Sequence, residues 1–461
     1  MEKKLVQRLF RLQENGTTVR TEILGGATTF ITMAYIMVVN PAILSFAGIP
    51  QGPSTVATIL AAAFGSLLMG FYANRPIAVA PYMGENAFIA FGLAMMGIGW
   101  QQRLGAVFIS GLAFAVITLL RVRSWLANSI STSLKYSFAV GIGLFLAFIG
   151  LYETGIVTSS VVGMAPQGLM RGGAAVLSAP DVPVKIGNLR SPQVLLALFG
   201  FLFISMLLYR RVRGGILLGI AATAVLGYAT GLGEAPRAVA ALPFVGQYNL
   251  GAIALKLDIM GMLKLSVLPI LLTLFLMGFL DTLGTLVGVG AAGNMLDEKG
   301  NFPNIERPMM VDAATCMFSA VVGTSTSGAY IESATGIREG ARTGLAAVTT
   351  AVLFAASLFF IPLIEPLQHL RYAYGPALIA VGVLMIGSVK KIDFNDLTEV
   401  IPAFVTIVMM IFTYNIANGL TAGLVLYPLF KLLAGRWREL NAGSVVLGLL
   451  CLVYYVFGLP H

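Results

Sequence analysis

Apolar and polar positions in this 461-residue chain alternate in long blocks rather than with the short period of a surface helix or strand. From position 22 to position 457, apolar runs of about 15 to 22 residues follow one another, and a bilayer core takes roughly 20 residues of helix. Each run therefore predicts a membrane-spanning segment. Seven fall in the first half, at 22–40, 54–72, 76–96, 103–120, 135–151, 192–208 and 214–232. Seven more fall in the second, at 264–289, 308–322, 323–337, 343–363, 375–389, 401–414 and 420–433, the last two short. A further stretch at 443–457 suits a tilted or interfacial segment and leaves its topology open.

An odd number of spans in each half turns the second half over relative to the first, the arrangement of inverted-repeat transporters. Two interrupted segments stand at corresponding places. The third run of the first half holds Ala80-Pro81-Tyr82-Met83-Gly84-Glu85-Asn86, and the third of the second half holds Ser325-Thr326-Ser327-Gly328-Ala329-Tyr330-Ile331-Glu332-Ser333. Paired broken segments of this kind point to a binding site near the membrane midplane.

Composition removes the main competitors. Hydrophobic residues make up 57% and charged residues 11%, against roughly a quarter charged in a soluble domain. The net charge of +9 would suit a nucleic-acid partner, but Lys and Arg punctuate the apolar runs instead of clustering on one soluble face, so none is expected. Lys3, Lys4, Arg8, Arg11, Arg121, Arg123, 210–213, Arg338, Arg342, Lys390, Lys391, Arg436 and Arg438 fall on one side of the layout. By the positive-inside rule that side, with the N-terminus, is cytoplasmic, and the long connections 152–191 and 233–263 face outward. The N-terminal 1–21 is a charged amphipathic stretch without the pattern of a cleaved signal peptide. Cys316 and Cys451 lie far apart in apolar runs, which gives neither a disulfide framework nor a metal pair.

The candidate chemistry is three carboxylates inside apolar runs, Glu85, Asp281 and Glu332. An acidic side chain at a helix centre costs roughly 2.5–3.5 kcal/mol on insertion scales, so such residues face cavities and act there. A helix starting near Tyr330 would put Glu332 in its first turn beside free N–H groups, a set that fits a planar heterocycle with N–H donors and carbonyl acceptors; the alternative is a plain helix-capping acid. Asp281, midway along its run, suits a coupling proton, the alternative being a structural bond to a neighbouring Thr or Ser. Glu85 is a further ligand or proton site, with Asn86 and Arg75 as structural partners otherwise. Tyr82, Tyr330 and Phe88 could stack on a ring or simply pack. Asp312 is expected to cap a helix opening after Pro308. His369 and His461 fall in a loop and at the terminus, so no histidine relay is expected, and 284–293 reads as close helix packing rather than a nucleotide loop.

Long stretches resemble one known family. These are Glu14-Asn15-Gly16-Thr17-Thr18-Val19-Arg20-Thr21-Glu22, Thr32-Met33-Ala34-Tyr35-Ile36, Val39-Asn40-Pro41-Ala42-Ile43-Leu44, Asp281-Thr282-Leu283-Gly284-Thr285-Leu286-Val287-Gly288, Gly323-Thr324-Ser325-Thr326-Ser327, Ala329-Tyr330-Ile331-Glu332-Ser333 and Gly340-Ala341-Arg342-Thr343-Gly344-Leu345. The chain resembles, over nearly its whole length, the AzgA-like branch of the nucleobase-cation symporters, the adenine, guanine and hypoxanthine permeases. The resemblance implies an all-α membrane protein of fourteen transmembrane segments in two inverted seven-helix repeats, with short strands in the third and tenth. It implies a core domain at 22–121 and 264–364 and a gate domain at 122–232 and 369–461. Substrate would bind between them, with Asp281 and Glu332 as the matching acids. The expected substrate set is Glu332, Tyr330, Ala329, Ser327, Tyr82, Met83, Gly84, Glu85 and Phe279, and the expected proton sites are Asp281 and Glu85. One departure stands out: the branch reads Ala-Pro-Gly-Met-Gly-Leu-Asn-Ala where this chain has Ala80-Pro81-Tyr82-Met83-Gly84-Glu85-Asn86-Ala87. The expectation is thus a proton-coupled purine importer of the cell inner membrane, working by elevator-like alternating access and needing no cofactor. A homodimer is among the arrangements open to it. Xanthine, uracil or an amine-rich solute is the alternative cargo; a channel or membrane enzyme is remote, no catalytic constellation being present.

Overall fold

A computed structural model of the chain describes residues 2–120, 129–160, 162, 184–264, 267–293, 295 and 302–457. Arg121, Arg123 and His461 lie outside the described residues. In hydrocarbon no water answers a backbone N–H or C=O, so an apolar chain satisfies them within itself as helix. After α1 (Glu2–Leu9), the first half forms α2 (Val19–Met33), α3 (Ile36–Ser45), α4 (Gln51–Leu68), β1 (Val79–Pro81), α5 (Met83–Ala87), α6 (Trp100–Leu119), α7 (Thr132–Glu153), a hairpin of β2 (Val157–Ser159) with β3 (Val184–Ile186), α8 (Pro192–Tyr209) and α9 (Gly215–Ala229). The second half forms α10 (Leu268–Ala292), α11 (Glu306–Val322), β4 (Ser327–Ala329), α12 (Ser333–Arg338), α13 (Gly344–Ser357), α14 (Ile361–Gln368), α15 (Arg371–Ile386), α16 (Leu397–Phe412), α17 (Ile416–Leu433) and α18 (Ala442–Phe457). Nine helical stretches among the described residues are long and apolar enough to cross a membrane, and the chain is a multi-pass, mostly helical membrane protein.

The structure corrects the starts of two expected segments, one of them at Glu399, where a charge read as a boundary. The runs expected at 401–414 and 420–433 each begin about a turn earlier, as α16 and α17. Glu399 sits inside α16 because Lys431 of α17 answers it at 3.1 Å, and Lys431 also meets Asp396 at 3.3 Å. Asp312 is not a cap: it lies well inside α11, fully buried.

The third run is broken, as Pro76 and Pro81 forbid a continuous helix there. It passes through β1 and α5 into a widened turn at Phe88–Gly92, whose freed carbonyls at Ile89 and Ala90 accept from Arg103 at 3.1 and 3.2 Å. The run expected at 323–337 is broken too. Gly323, at φ +96°, ends α11 in a left-handed turn that glycine tolerates, and an extended stretch through β4 follows.

Helices α2, α4, α6, α10, α11 and α13 pack on one another around β1 and β4, while α7, α8, α9, α15, α16 and α17 pack among themselves. Glu22, from a stretch shared with the family, has a structural job. Its buried carboxylate accepts from the backbone N–H of Arg342 at 2.7 Å, Thr343 at 3.2 Å and Ala346 at 3.3 Å, closing the start of α13 with a side chain from α2.

Candidate functional site

The two broken segments meet. β1 and β4 pair antiparallel, with Val79 opposite Ala329, Ala80 opposite Gly328 and Pro81 opposite Ser327. Tyr330 N–H donates to Ala78 C=O at 3.0 Å and Tyr82 N–H to Thr326 C=O at 2.9 Å, extending the pair at both ends. The Tyr330 hydroxyl donates to Pro81 C=O at 2.5 Å, and the Ser333 hydroxyl accepts from Ala78 N–H at 3.0 Å. Each break thus supplies the partners the other lacks, as apolar surroundings demand.

Around this pair stand the three carboxylates. Glu332 is the residue preceding α12, its N-cap rather than a first-turn position, and is partly exposed; its Oε1 accepts from the Tyr35 hydroxyl at 2.7 Å, where α2 gives way to α3. Asp281 is midway along α10 and partly exposed. Glu85, in α5, is 1% exposed. Asp281 lies within electrostatic range of both others. The partners expected for Glu85 are engaged elsewhere. Arg75 donates to Pro303 C=O at 2.8 Å and covers the Phe302 ring, and Asn86 donates to Asn40 Oδ1 at 2.9 Å. The donor left beside Glu85 is the Thr326 hydroxyl, and its oxygens have no other partner.

The other candidates surround the cluster, with their polar atoms largely committed. The Tyr82 ring lies across Gly328, and its hydroxyl is 2.8 Å from the Thr282 hydroxyl and 3.5 Å from Asp312 Oδ2. Ser327 Oγ is 2.7 Å from Ser319 Oγ of α11. Ala329 N–H donates to Asp312 Oδ2 at 2.9 Å, an oxygen that also accepts from Thr282 at 2.8 Å. Phe279 is fully buried and edge-on to Phe114 of α6, 5.8 Å between centroids. Met83 and Phe88 are buried.

Two residues outside the expected site set organise the site: Asp312, expected as a cap, and Asn40. Asp312 holds β4, Thr282 and Tyr82 together. Asn40, in α3, donates to Thr58 at 2.7 Å and Thr324 at 2.9 Å and accepts from Asn86 and from Ser325, the latter at 3.1 Å, so it ties both broken segments to α3 and α4. The available signal was a polar residue in an apolar run beside Pro41.

The cluster borders the seam between the two groups of helices. A Cβ on Gly84 would collide with Ile142 of α7, Phe91 lies 5.5 Å from the Tyr414 ring, and the Arg371 guanidinium of α15 lies 5.5 Å from the Phe46 ring. Two open cavities, of about 560 and 670 Å³, flank His369 and Leu370, and none of the three carboxylates lines either.

This arrangement can be set beside known proteins. The permease family model Xan_ur_permease matches residues 20–421. A putative permease, MJ0326, of Methanocaldococcus jannaschii is 43% identical over 98% of this chain and 99% of its own. The adenine permease AdeP of Escherichia coli is 38% identical, over 98% and 96% respectively, and the guanine/hypoxanthine permease PbuG of Bacillus subtilis is 37% identical, over 98% and 100%. Among solved structures, the transmembrane domain of the cyanobacterial bicarbonate transporter BicA superposes with a TM-score of 0.62 at 15% identity, over 88% of this chain and 97% of that one, a likeness of fold alone.

Proposed function

This chain belongs to the Xan_ur_permease family of permeases, and from that premise we propose that it carries a purine nucleobase into the cell together with protons. It is a transporter, not an enzyme. The cargo follows the adenine and guanine/hypoxanthine permeases to which it is similar. The observation that carries the reading is the meeting of two broken segments with Glu332 and Asp281 beside them. Glu332 keeps one oxygen on Tyr35 and offers the other to a ring N–H; Asp281, partly exposed in an apolar helix, takes the coupling proton.

The remaining architecture is read on the same premise. Adding α9, α11, α16 and the two broken segments to the nine long apolar stretches gives fourteen spans, seven on each side of the 233–263 connection, as two inverted repeats. The group around β1 and β4 is the core, the other group is the gate, and the core slides against the gate as an elevator, exposing the site to each side in turn. The N-terminus is cytoplasmic in the cell inner membrane. Among the described residues no cluster of metal-ligating side chains is present, and the coupling ion we assign is the proton.

Uptake of labelled adenine and guanine by proteoliposomes, with and without a pH gradient, tests this. Uptake should weaken when the gradient is collapsed, and Glu332→Gln should abolish it. Undiminished purine uptake by that variant would refute the assignment of Glu332.

A further inference from the structure

Glu85 is left unexplained by that mechanism. Glu85 is 1% exposed, and neither carboxyl oxygen meets a backbone N–H or a cationic side chain. The Thr326 hydroxyl stands beside it and finds no other partner, and no ion pair among the described residues involves Glu85. One wall of its surroundings is Gly278 of α10. A Cβ there would lie 3.5 and 3.6 Å from the two carboxyl oxygens, so the missing side chain leaves the carboxyl open toward that helix. Gly278 precedes Asp281 by three positions and so shares its helix face. The neighbouring Gly84 touches Ile142 across the seam. The short helix α5 that carries Glu85 thus packs against both α10, with its Asp281 face, and α7 of the other group.

Its charge state follows from its company. Asp281 and Asp312 lie within electrostatic range of Glu85, and Asp281 is in turn within range of Glu332. Neighbouring like charges in an apolar interior cannot all be held, and of the two most buried carboxyls Asp312 is met by Ala329 N–H and the Thr282 hydroxyl, whereas Glu85 has only the Thr326 hydroxyl beside it. A carboxyl that keeps its proton presents one O–H donor beside one carbonyl acceptor. Such a pair matches a heterocycle edge carrying an acceptor and a donor side by side: the N1 and 6-amino group of adenine, or the O6 and N1–H of hypoxanthine.

We propose that Glu85 is a specificity-determining residue that binds, as an uncharged carboxyl, the 6-substituted edge of a purine. This rests on the purine-transport reading above and adds to it the chemical class of cargo, purines bearing a 6-amino or 6-oxo group. Unsubstituted purine lacks the exocyclic atom and fills only half the pair. Glutamine offers the same donor and acceptor with no ionisable proton, so it is the faithful replacement; leucine and methionine offer neither.

The experiment is equilibrium binding of adenine, hypoxanthine and unsubstituted purine to the purified full chain, for wild type, Glu85→Gln, Glu85→Leu and Glu85→Met. Folding of each variant is checked by its elution and unfolding temperature. Wild type and Glu85→Gln should favour the two 6-substituted bases over purine by roughly tenfold, the worth of one buried hydrogen bond. In Glu85→Leu or Glu85→Met, whichever folds, the preference should vanish. Loss of the preference in Glu85→Gln would show that an ionised carboxylate is required, and its survival in the apolar variants would show that Glu85 does not touch the edge; either overturns the proposal while purine transport stands. Folded wild-type protein that binds none of the three bases overturns both.

Discussion

Replacing Gly25 by alanine tests whether helix spacing alone positions Glu332. Gly25 of α2 faces α12 and the turn after it, where a Cβ would lie 2.6 Å from the Ala341 Cβ and 2.9 Å from the Gly336 carbonyl oxygen. Ordinary contact begins near 3.4 Å, and neither obstacle can rotate away, so the two elements must part by roughly 0.5–0.8 Å. The hydrogen bond between Tyr35, just beyond α2, and Glu332, at the head of α12, is 2.7 Å long. The same displacement along it would carry it beyond the ~2.5–3.0 Å range of an O–H···O bond. Overpacking costs about 1–3 kcal/mol, and alanine returns about 1 kcal/mol of helix propensity, so the protein should still fold. Purine affinity, measured by calorimetry on purified protein, should fall roughly tenfold with the loss of one oriented hydrogen bond to a carboxylate. Gly387→Ala, at a position with nothing within 4 Å of the new Cβ, is the control and should bind normally. Folded Gly25→Ala protein with wild-type affinity would show that the contact between α2 and α12 does not set the position of Glu332.

Three further outcomes follow from hydrogen bonds of buried and capping carboxylates. Glu22→Gln turns an amide NH₂ toward the N–H groups that open α13, and should cost about 2–3 kcal/mol; an unchanged unfolding temperature would mean these donors find other acceptors. Asp312→Ala leaves Ala329 N–H and the Thr282 hydroxyl without their shared acceptor, whereas Asp312→Asn keeps an oxygen there, so thermal unfolding should place the alanine variant below the asparagine one, and equal values would refute this. Burial pushes the Asp396 carboxyl up, but hydrogen bonds from Thr398 and Arg436 and the charge of Lys431 outweigh it and hold it well below the usual range. A depressed acid stabilises above its unfolded value near ~3.9 and loses that contribution as pH falls through its folded one. The deficit of Asp396→Asn in denaturation should therefore be present at pH 7 and shrink below about pH 4, and a pH-independent deficit would count against the pairing.

What sequence made legible was governed by what the bilayer enforces. Apolar runs become helices whatever their neighbours do, so most spans were readable, and Pro81 and the Ser/Thr run at 324–327 announced two breaks. What escaped were polar groups whose partners are remote in the chain. Glu399 looked like a helix end because Lys431 was not in view, and Asp312 looked like a cap because Thr282 and Ala329, which it holds, come from other elements. The same distance hid Asn40. Glu85 shows the converse: Arg75 and Asn86 are close in sequence but turn to Pro303 and Asn40. Proximity along the chain was the wrong guide to pairing, and only the folded arrangement shows which acid is left alone.

The pairing of β1 with β4 also sets an order of events during synthesis. Pro81 receives its bond from Tyr330, 249 residues later. At translation rates of about 5–20 residues per second that is a wait of roughly 10 to 50 s. Through that interval the nascent first half holds an extended stretch whose backbone groups, stranded in hydrocarbon, would cost several kcal/mol each. The third segment therefore has no stable resting place in the bilayer until the second half arrives. The two halves mature together, and a chain ending before Ser327 would leave β1 without the strand it pairs with.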